Sequence, residues 1–258
     1  CFAGQMESRK VADLVRESFH NRVNDRIGFS QETLHHLLGS PDLPHDPPTY
    51  RVLRRRNDRS RIAIETETRI FAVMSYQAPE NYQFRPPVSE KVTLYLPHLD
   101  ESPESTDTVL SISTRGSGES LYNTCGGDDY FRLYDADYFY SSHCWMLGFP
   151  LAGRKAYDLL RVVQLLRAGG CKEFELHGRG CGALTALYAA PFIPDLSKLN
   201  LSNCLPSLGD IVEADMSRWP QSVLVPGILN YMDLPDIIAE VEKRCVVEIS
   251  EPGNPLSA

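Results

Sequence analysis

The sequence predicts an α/β protein with a mostly parallel sheet, helices on both faces, antiparallel strands at one edge and a helical arm before them. Strands and helices alternate over residues 92–250, which is typical of parallel strands joined by crossover helices. Two runs within residues 50–76 are rich in β-branched and aromatic residues, as antiparallel strands are. A glycine-rich turn at residues 178–182 joins a predicted strand directly to a predicted helix.

The first 48 residues predict a helical arm. Apolar residues recur at helical spacing over residues 11–19, and a second helix, capped by Ser30, ends at Gly39. Four prolines within residues 41–48 predict a rigid linker. We therefore expect two units: residues 1–48, the arm and linker, and residues 49–258, the main domain.

The other elements follow from apolar patterning and from the residues that break it. Gly169 and Gly170 stop the longest helix, and residues 117–140 are predicted to be a loop. The predicted strands are residues 50–55, a run at 62–76 with a turn inside it, 92–99, 108–114, 172–177, 198–204 and 245–250. The predicted helices are residues 153–168, 181–190 and 234–243.

Composition excludes several classes of partner. The chain has 34 acidic and 26 basic side chains and a net charge of −8, which argues against nucleic acid and anionic membranes as partners. No apolar run approaches the roughly 20 residues that span a bilayer. The first residues contain neither an initiator Met nor a signal segment, so we expect a processed product or a piece of a longer protein.

The cysteines and acidic residues do not form a recognisable metal site. None of the seven cysteines is spaced C-x-x-C, so we expect reduced core thiols rather than a zinc site or a disulfide framework. Acidic residues within 128–137 miss the spacing of a calcium-binding loop. We predict no metal and no cofactor.

The turn at residues 178–182 resembles the nucleophile elbow, G-x-S-x-G, of α/β-hydrolases. Other segments occur in matching order. Residues 94–98 resemble the third strand and oxyanion loop of that family, and residues 113–120 resemble the loop after its fourth strand. Residues 219–237 resemble the region before the seventh strand in bacterial carbohydrate esterases of the acetyl xylan esterase type. The resemblance covers roughly residues 50–252 and implies an α/β-hydrolase fold, a carbohydrate ester ligand and a secreted or periplasmic location.

The chain departs from the family pattern at the residues that carry the chemistry. The resemblance places Gly178 and Gly182 at the flanking glycines and Gly180 at the nucleophile, and glycine has no side chain that can attack a carbonyl. The family's catalytic His follows the elbow, yet all seven histidines lie at or before His177. We expect the eighth strand and its His loop to be missing. The chain is therefore predicted to be a non-catalytic structural or interface domain of a larger esterase.

One form of this prediction is the C-terminal half of a tandem hydrolase. Its expected partner is then a second hydrolase domain, or another copy of the chain in a homo-oligomer.

Four residues keep an enzymatic alternative open, an ester hydrolase with atypical catalytic residues. Cys181 follows the nucleophile position. In the family, the backbone N–H of that following residue binds the oxyanion, so the Cys181 thiol is expected to point into the helix packing. His98, in the oxyanion loop, either donates to a bound carbonyl or anchors the loop. Ser120 is a candidate hydroxyl or an ordinary turn residue, and Asp233 lies in the acid region.

Five binding residues are predicted. Besides Gly178 and Gly182, these are Arg115, Tyr134 and Tyr138. The aromatic stretch at residues 128–140 suits stacking on sugar rings, and the alternative is that it packs as core.

A second alternative is a dinucleotide-binding oxidoreductase. Gly178, Gly180 and Ala183 fit the relaxed fingerprint G-x-G-x-x-G/A between a strand and a helix. A dehydrogenase also needs a carboxylate at the end of the next strand to hold the ribose. Residues 201–204 contain none.

Overall fold

The fold is described from a computed structural model. The structure describes residues 10–56, 59–77, 86–87, 89–99, 109–122, 136–214 and 217–254.

One mixed sheet organises the described residues. Its strands are β1 (Tyr50–Arg56), β2 (Arg59–Glu67), β3 (Ile70–Gln77), β4 (Lys91–Leu96), β5 (Val109–Ser113), β6 (Glu173–Arg179), β7 (Leu196–Ser202) and β8 (Val246–Ser250). They lie in the order β1-β2-β3-β5-β4-β6-β7-β8. β1, β2, β3 and β5 pair antiparallel in turn, whereas β5-β4-β6-β7-β8 are parallel. The predicted fold class is confirmed.

Strand β4 ends earlier than predicted. The sequence predicts a strand to Leu99, but the strand ends at Leu96. Pro97 has no N–H to donate to a neighbouring strand, so the ladder cannot continue through it. The chain leaves the sheet there, and His98 therefore lies in a loop beside the carboxyl end of β6.

Seven α-helices are present among the described residues. They are α1 (Val11–Arg22), α2 (Gln31–Leu38), α3 (Ala136–Met146), α4 (Leu151–Ala168), α5 (Cys181–Ala189), α6 (Gly209–Glu213) and α7 (Leu234–Glu242). Helix α4 is buried along most of its length, and α5 is buried throughout. The main core lies between these two helices and the strands.

Helix α3 corrects the end of the loop predicted at residues 117–140, because its first five residues belong to that range. Residues 123–135 of the predicted loop lie outside the described residues. Its sequence is rich in aromatic residues and has little helical periodicity, so local preference alone does not favour a helix. Tertiary contacts hold it instead. The Asp137 carboxylate accepts a hydrogen bond from the Ser222 N–H at 3.0 Å, and Ser142 donates to the Gln221 side chain at 3.3 Å.

The second helix of the arm, α2, is packed on the main domain. Ser30 caps α2, Gly39 ends it with φ 56°, and Leu34 and Leu38 are buried in the same core as the sheet. Side chains of α4 donate hydrogen bonds to backbone carbonyls of the proline-rich segment. The division at residue 48 stays a prediction.

Among the described residues no helix has the length and apolar character needed to cross a bilayer.

Candidate functional site

The site is built around a sharp bend between β6 and α5. Gly180, which joins them, has φ 53° and ψ −119°. Side chains with a Cβ adopt this conformation rarely and under strain, whereas glycine adopts it readily. The Gly180 N–H donates to the Ser202 carbonyl at 2.9 Å, which fixes the bend to the neighbouring strand β7.

The two flanking glycines are required by close packing. A Cβ on Gly178 would lie 2.5 Å from the Ala183 Cα, and a Cβ on Gly182 would overlap the Leu96 carbonyl group. Helix α5 therefore approaches both β6 and β4 more closely than any side chain would allow. The geometry agrees with the predicted elbow, with glycine at its crest.

The imidazole of His98 occupies the space above Gly180. A Cβ built on Gly180 would overlap the His98 ring, and the nearest ring atom is Nδ1. The same Nδ1 accepts a hydrogen bond from the Cys181 N–H at 3.2 Å. This bond assigns His98 the neutral tautomer, with its proton on Nε2. The ring thus occupies the position of a nucleophilic side chain. It also accepts a hydrogen bond from the Cys181 N–H, the backbone group that binds the oxyanion in the family that this turn resembles.

The His98 loop is tied to the loop after β5. Leu99, with φ 20°, accepts a hydrogen bond from the Gly118 N–H at 2.7 Å through its carbonyl oxygen. In turn, the Gly118 segment is held by Ser113, whose hydroxyl accepts from the Glu119 N–H at 3.2 Å. These bonds hold the loop in which His98 reaches the bend.

A small chamber adjoins the bend. Among the described residues its volume is about 10 Å³, enough for about one water molecule. Its lining residues are Leu96, Pro97, Leu99, Ile112, Thr114, Ser117, Lys155, Cys181, Gly182 and Thr185. An acyl group or a sugar does not fit into this volume.

A structural comparison decides the fold. A solved structure from Bacteroides fragilis, provisionally assigned as an acetyl xylan esterase, matches 97% of this chain and 84% of its own with a TM-score of 0.66 and 12% identity. The fold is that of an α/β-hydrolase. No protein-family model matches the chain, and no curated protein does either.

Two further esterase structures show weaker similarity. Acetyl xylan esterase 1 from Thermoanaerobacterium matches 92% of each chain with a TM-score of 0.43 and 11% identity. A glucuronoyl esterase from Caldicellulosiruptor kristjansonii matches 84% of this chain and 68% of its own, with a TM-score of 0.46 and 13% identity.

Cys181 is the first residue of α5 in this α/β-hydrolase fold. Its side chain is buried and belongs to the hydrophobic core, and its carbonyl accepts a hydrogen bond from the Thr185 hydroxyl at 3.0 Å. Thiols so buried behave as small core side chains.

Asp233 has a structural set of partners. It caps α7, and its Oδ1 accepts from the backbone N–H groups of Leu208 at 2.8 Å and Leu234 at 2.7 Å. Oδ2 lies 3.7 Å from the Arg26 guanidinium. Asp236, in the first turn of α7, accepts a hydrogen bond from the Asp233 N–H at 2.8 Å. These contacts hold the Asp233 carboxylate at the start of α7.

Ser120 and Arg115 are likewise held by internal contacts. The Ser120 hydroxyl lies within hydrogen-bonding distance of the carbonyls of Phe71 and Ser113, at 3.1 and 3.3 Å. Arg115 forms a two-point ion pair with the fully buried Asp158, with Nε–Oδ2 and Nη2–Oδ1 distances of 2.9 and 2.5 Å. Its Nη2 also lies 2.7 Å from Glu67. The guanidinium predicted to bind a ligand therefore joins the loop after β5 to α4.

The aromatic candidates are only partly covered by the structure. Tyr138 lies on α3 with about half of its surface exposed (49%). Tyr134 lies outside the described residues, as do Asp128, Asp129 and Asp135. Among the described residues no cluster of three His, Cys, Asp or Glu side chains is placed to hold a metal.

His177 lies on the half-exposed face of β6, away from the core. Burial lowers its pKa, with Lys198 acting in the same direction and Glu175 and Glu248 opposing it. Within the described part of the chain its buried Nε2 has no hydrogen-bonding partner. His177 therefore favours the neutral form.

The dinucleotide alternative receives no support from the topology. Dinucleotide-binding folds place the fingerprint after the first strand of a sheet ordered 3-2-1-4-5-6. Here the turn follows β6, in a sheet with three antiparallel pairings at one end.

Sequence reasoning missed Asp158 and Lys155. Both are buried charged residues on α4. The sequence feature that could have identified them is the presence of charged residues on the inward-facing side of an otherwise apolar helix.

Proposed function

We propose that this chain is a non-catalytic α/β-hydrolase domain. The observation that carries the proposal is the overlap of the His98 ring with the position of a side chain at Gly180. Ester hydrolysis on this fold needs a nucleophile at the bend and a free N–H donor for the developing oxyanion. At this bend the first is replaced by glycine and the second is bonded to His98.

The surroundings of the bend support the same conclusion. Among the described residues, the chamber beside the bend holds about one water molecule, which is too little for the acyl group of an ester. The Asp233 carboxylate is engaged with backbone N–H groups and Arg26 rather than with an imidazole. Four parts of the machinery are thus absent or otherwise engaged: nucleophile, oxyanion donor, acyl space and the candidate acid.

As a non-catalytic domain, the chain serves as a structural or interface part of a larger carbohydrate esterase. The similarity of its fold to a provisionally assigned acetyl xylan esterase supports this role. Sequencing the full-length transcript tests it. We expect a second hydrolase unit in the same reading frame, with G-x-S-x-G and a later His; a complete transcript without such a unit contradicts the role.

The absence of catalysis is tested by hydrolysis of p-nitrophenyl acetate and 4-methylumbelliferyl acetate. If the folded chain has no catalytic site, only its exposed side chains react with these esters. We therefore expect the purified folded chain to release product no faster than the same chain unfolded in urea. His98→Ala and Cys181→Ala are expected to leave this rate unchanged. His36→Ala removes an exposed histidine and is the matched control for surface reactivity.

One pattern of rates contradicts the proposal. Turnover above the unfolded control that falls in His98→Ala or Cys181→Ala, but not in His36→Ala, would show an active ester hydrolase with atypical residues.

A further inference from the structure

Strand β8 forms an open edge of the sheet. It is the last strand in the sheet order, and within the described ranges no further strand pairs with its outer side. Val246 and Ile249 are 58% and 53% exposed, and Val247 is half-buried. An exposed edge strand with apolar side chains is a template for pairing with another chain.

The opposite edge of the sheet is protected against such pairing, whereas β8 is not. Strand β1 contains four arginines, and charged side chains on an edge strand discourage the addition of another strand. Strand β8 contains a single charged residue, Glu248, and no proline. The Lys198 ammonium lies 2.8 Å from the Glu248 carboxylate. The one charge on β8 is therefore balanced within the chain.

The residues that follow β8 lead away from its open edge. The backbone turns at Glu251, which has φ 52°. The Gly253 N–H then donates to the Cys204 carbonyl at 2.7 Å, and the Trp219 indole N–H donates to the Asn254 carbonyl at 2.9 Å. Because Cys204 follows β7, this segment returns to the end of β7 and does not run along the outer side of β8.

The backbone groups on the open side of β8 are those of Val247 and Ile249. The Ser250 carbonyl accepts a hydrogen bond from the Asn203 N–H at 3.1 Å, so Ser250 is directed towards the β7 side. Successive residues of a strand direct their N–H and C=O groups to opposite sides, and the pairing of β7 with β8 has no bulge. The N–H and C=O groups of Val247 and Ile249 therefore face outward.

We propose that β8 pairs antiparallel with β8 of a second copy of this chain, about a two-fold axis at Glu248. Val247 and Ile249 are equally distant from Glu248, so Val247 of each copy lies opposite Ile249 of the other. Each such pair exchanges both of its outward hydrogen bonds, as hydrogen-bonded pairs of an antiparallel ladder do. Two-fold dimers are the commonest oligomers, because one self-complementary surface builds them. The pairing is independent of whether the chain is an enzyme.

The side chains on both faces of β8 suit a second copy as the partner. Ile249 borders a groove of about 260 Å³ that has Ile238 and Ala239 of α7 in its wall, and Val247 lies on the same face because side chains alternate. In the paired copies, Val247 of one chain covers Ile249 of the other beside this groove. On the opposite face the two Glu248 carboxylates meet, and the Lys198 ammonium of each copy balances their charge.

Cysteine cross-linking tests the register directly. About the proposed axis, Glu248 lies opposite itself in a non-hydrogen-bonded pair, whose Cα atoms are about 4.5 Å apart and so within the range of a disulfide. We expect oxidised Glu248→Cys to form a covalent dimer. Val246→Cys and Ser250→Cys should each fail to do so alone but cross-link when mixed, because residue 246 of one copy faces residue 250 of the other. The unaltered chain, oxidised in the same way, measures cross-linking through its own cysteines.

Analytical ultracentrifugation gives the second test. One strand pair buries less than the about 1,200 Å² of a stable interface, so the dimer should dissociate on dilution. We expect the mass of one copy at about 1 µM and of two copies at about 200 µM. Ile249→Lys adds a charge to the open edge and is expected to keep single copies at both concentrations. Met146→Lys, on an α3 side chain that is 75% exposed, is the matched control and should still dimerise.

Three results would overturn the proposal. The first is a single copy at both concentrations for the unaltered chain, which is also the result expected if β8 pairs only with a different protein. The second is a dimer that survives Ile249→Lys. The third is a yield of covalent dimer from Glu248→Cys that is no larger than the yield from the unaltered chain. If Ile249→Lys does not fold, the cross-linking experiment decides independently.

Discussion

Replacing Asp158 by alanine is expected to lower the free energy of unfolding by about 3–5 kcal/mol. Asp158 is fully buried and accepts hydrogen bonds from the Arg115 backbone N–H at 2.9 Å and the Thr66 hydroxyl at 2.6 Å, in addition to the Arg115 guanidinium. Removing the carboxylate leaves these donors buried, and the Arg115 side chain is only 12% exposed. Urea-induced unfolding at neutral pH measures the loss.

An exposed ion pair of similar geometry provides the control. Arg167 and Asp195 also make a two-point contact, with side chains 41% and 23% exposed. Because water screens such pairs, Asp195→Ala should cost no more than about 1 kcal/mol. A loss in Asp158→Ala that is no larger than the loss in Asp195→Ala would show that the buried pair does not hold the loop after β5 to α4.

Replacing Gly182 by alanine is expected to destabilise the chain by about 3 kcal/mol. The added Cβ would overlap the Leu96 carbonyl group and lie 2.7 Å from the Pro97 carbonyl oxygen. Since these are backbone atoms, α5 must move away from β4, and overpacking that shifts the backbone is costly. The same urea experiment measures the change.

Gly169→Ala is the matched control for this substitution. Gly169 follows α4 with φ −77° and ψ −6°, a conformation open to any residue. A Cβ added to it would lie 3.2 Å from its nearest neighbour, the Leu166 carbonyl oxygen. We expect a change within about 1 kcal/mol. If Gly182→Ala were equally mild, the close contact between α5 and β4 would not be a requirement of the bend.

The sheet and the bend could be predicted because their signals are local. Alternation of apolar residues marks β6, where Phe174 and Leu176 are buried and Glu175 is not. The glycines of the turn indicate close contact between backbone segments of a strand and a helix. Such contact can be predicted from the types of residue at successive positions alone. The fold class and the place of the elbow followed from such patterns.

The contents of the site could not be predicted in the same way. His98 reaches Gly180 from a loop some 80 positions earlier in the chain, and only the end of β4 at Pro97 brings it there. Helix α3 depends on contacts with residues 221–222, and the ion pair of Asp158 depends on a loop 43 positions away. These contacts between distant segments leave no periodic pattern in the sequence.

The central claim is that the His98 imidazole fills the position above Gly180 and bonds to the Cys181 N–H. The amide signal of Cys181 in a nitrogen-15 NMR spectrum tests it most directly, measured in the unaltered chain and in His98→Ala. We expect the amide proton to move upfield and to exchange faster with solvent in His98→Ala, while His36→Ala leaves it unchanged. A Cys181 signal that is the same in all three proteins would contradict the claim.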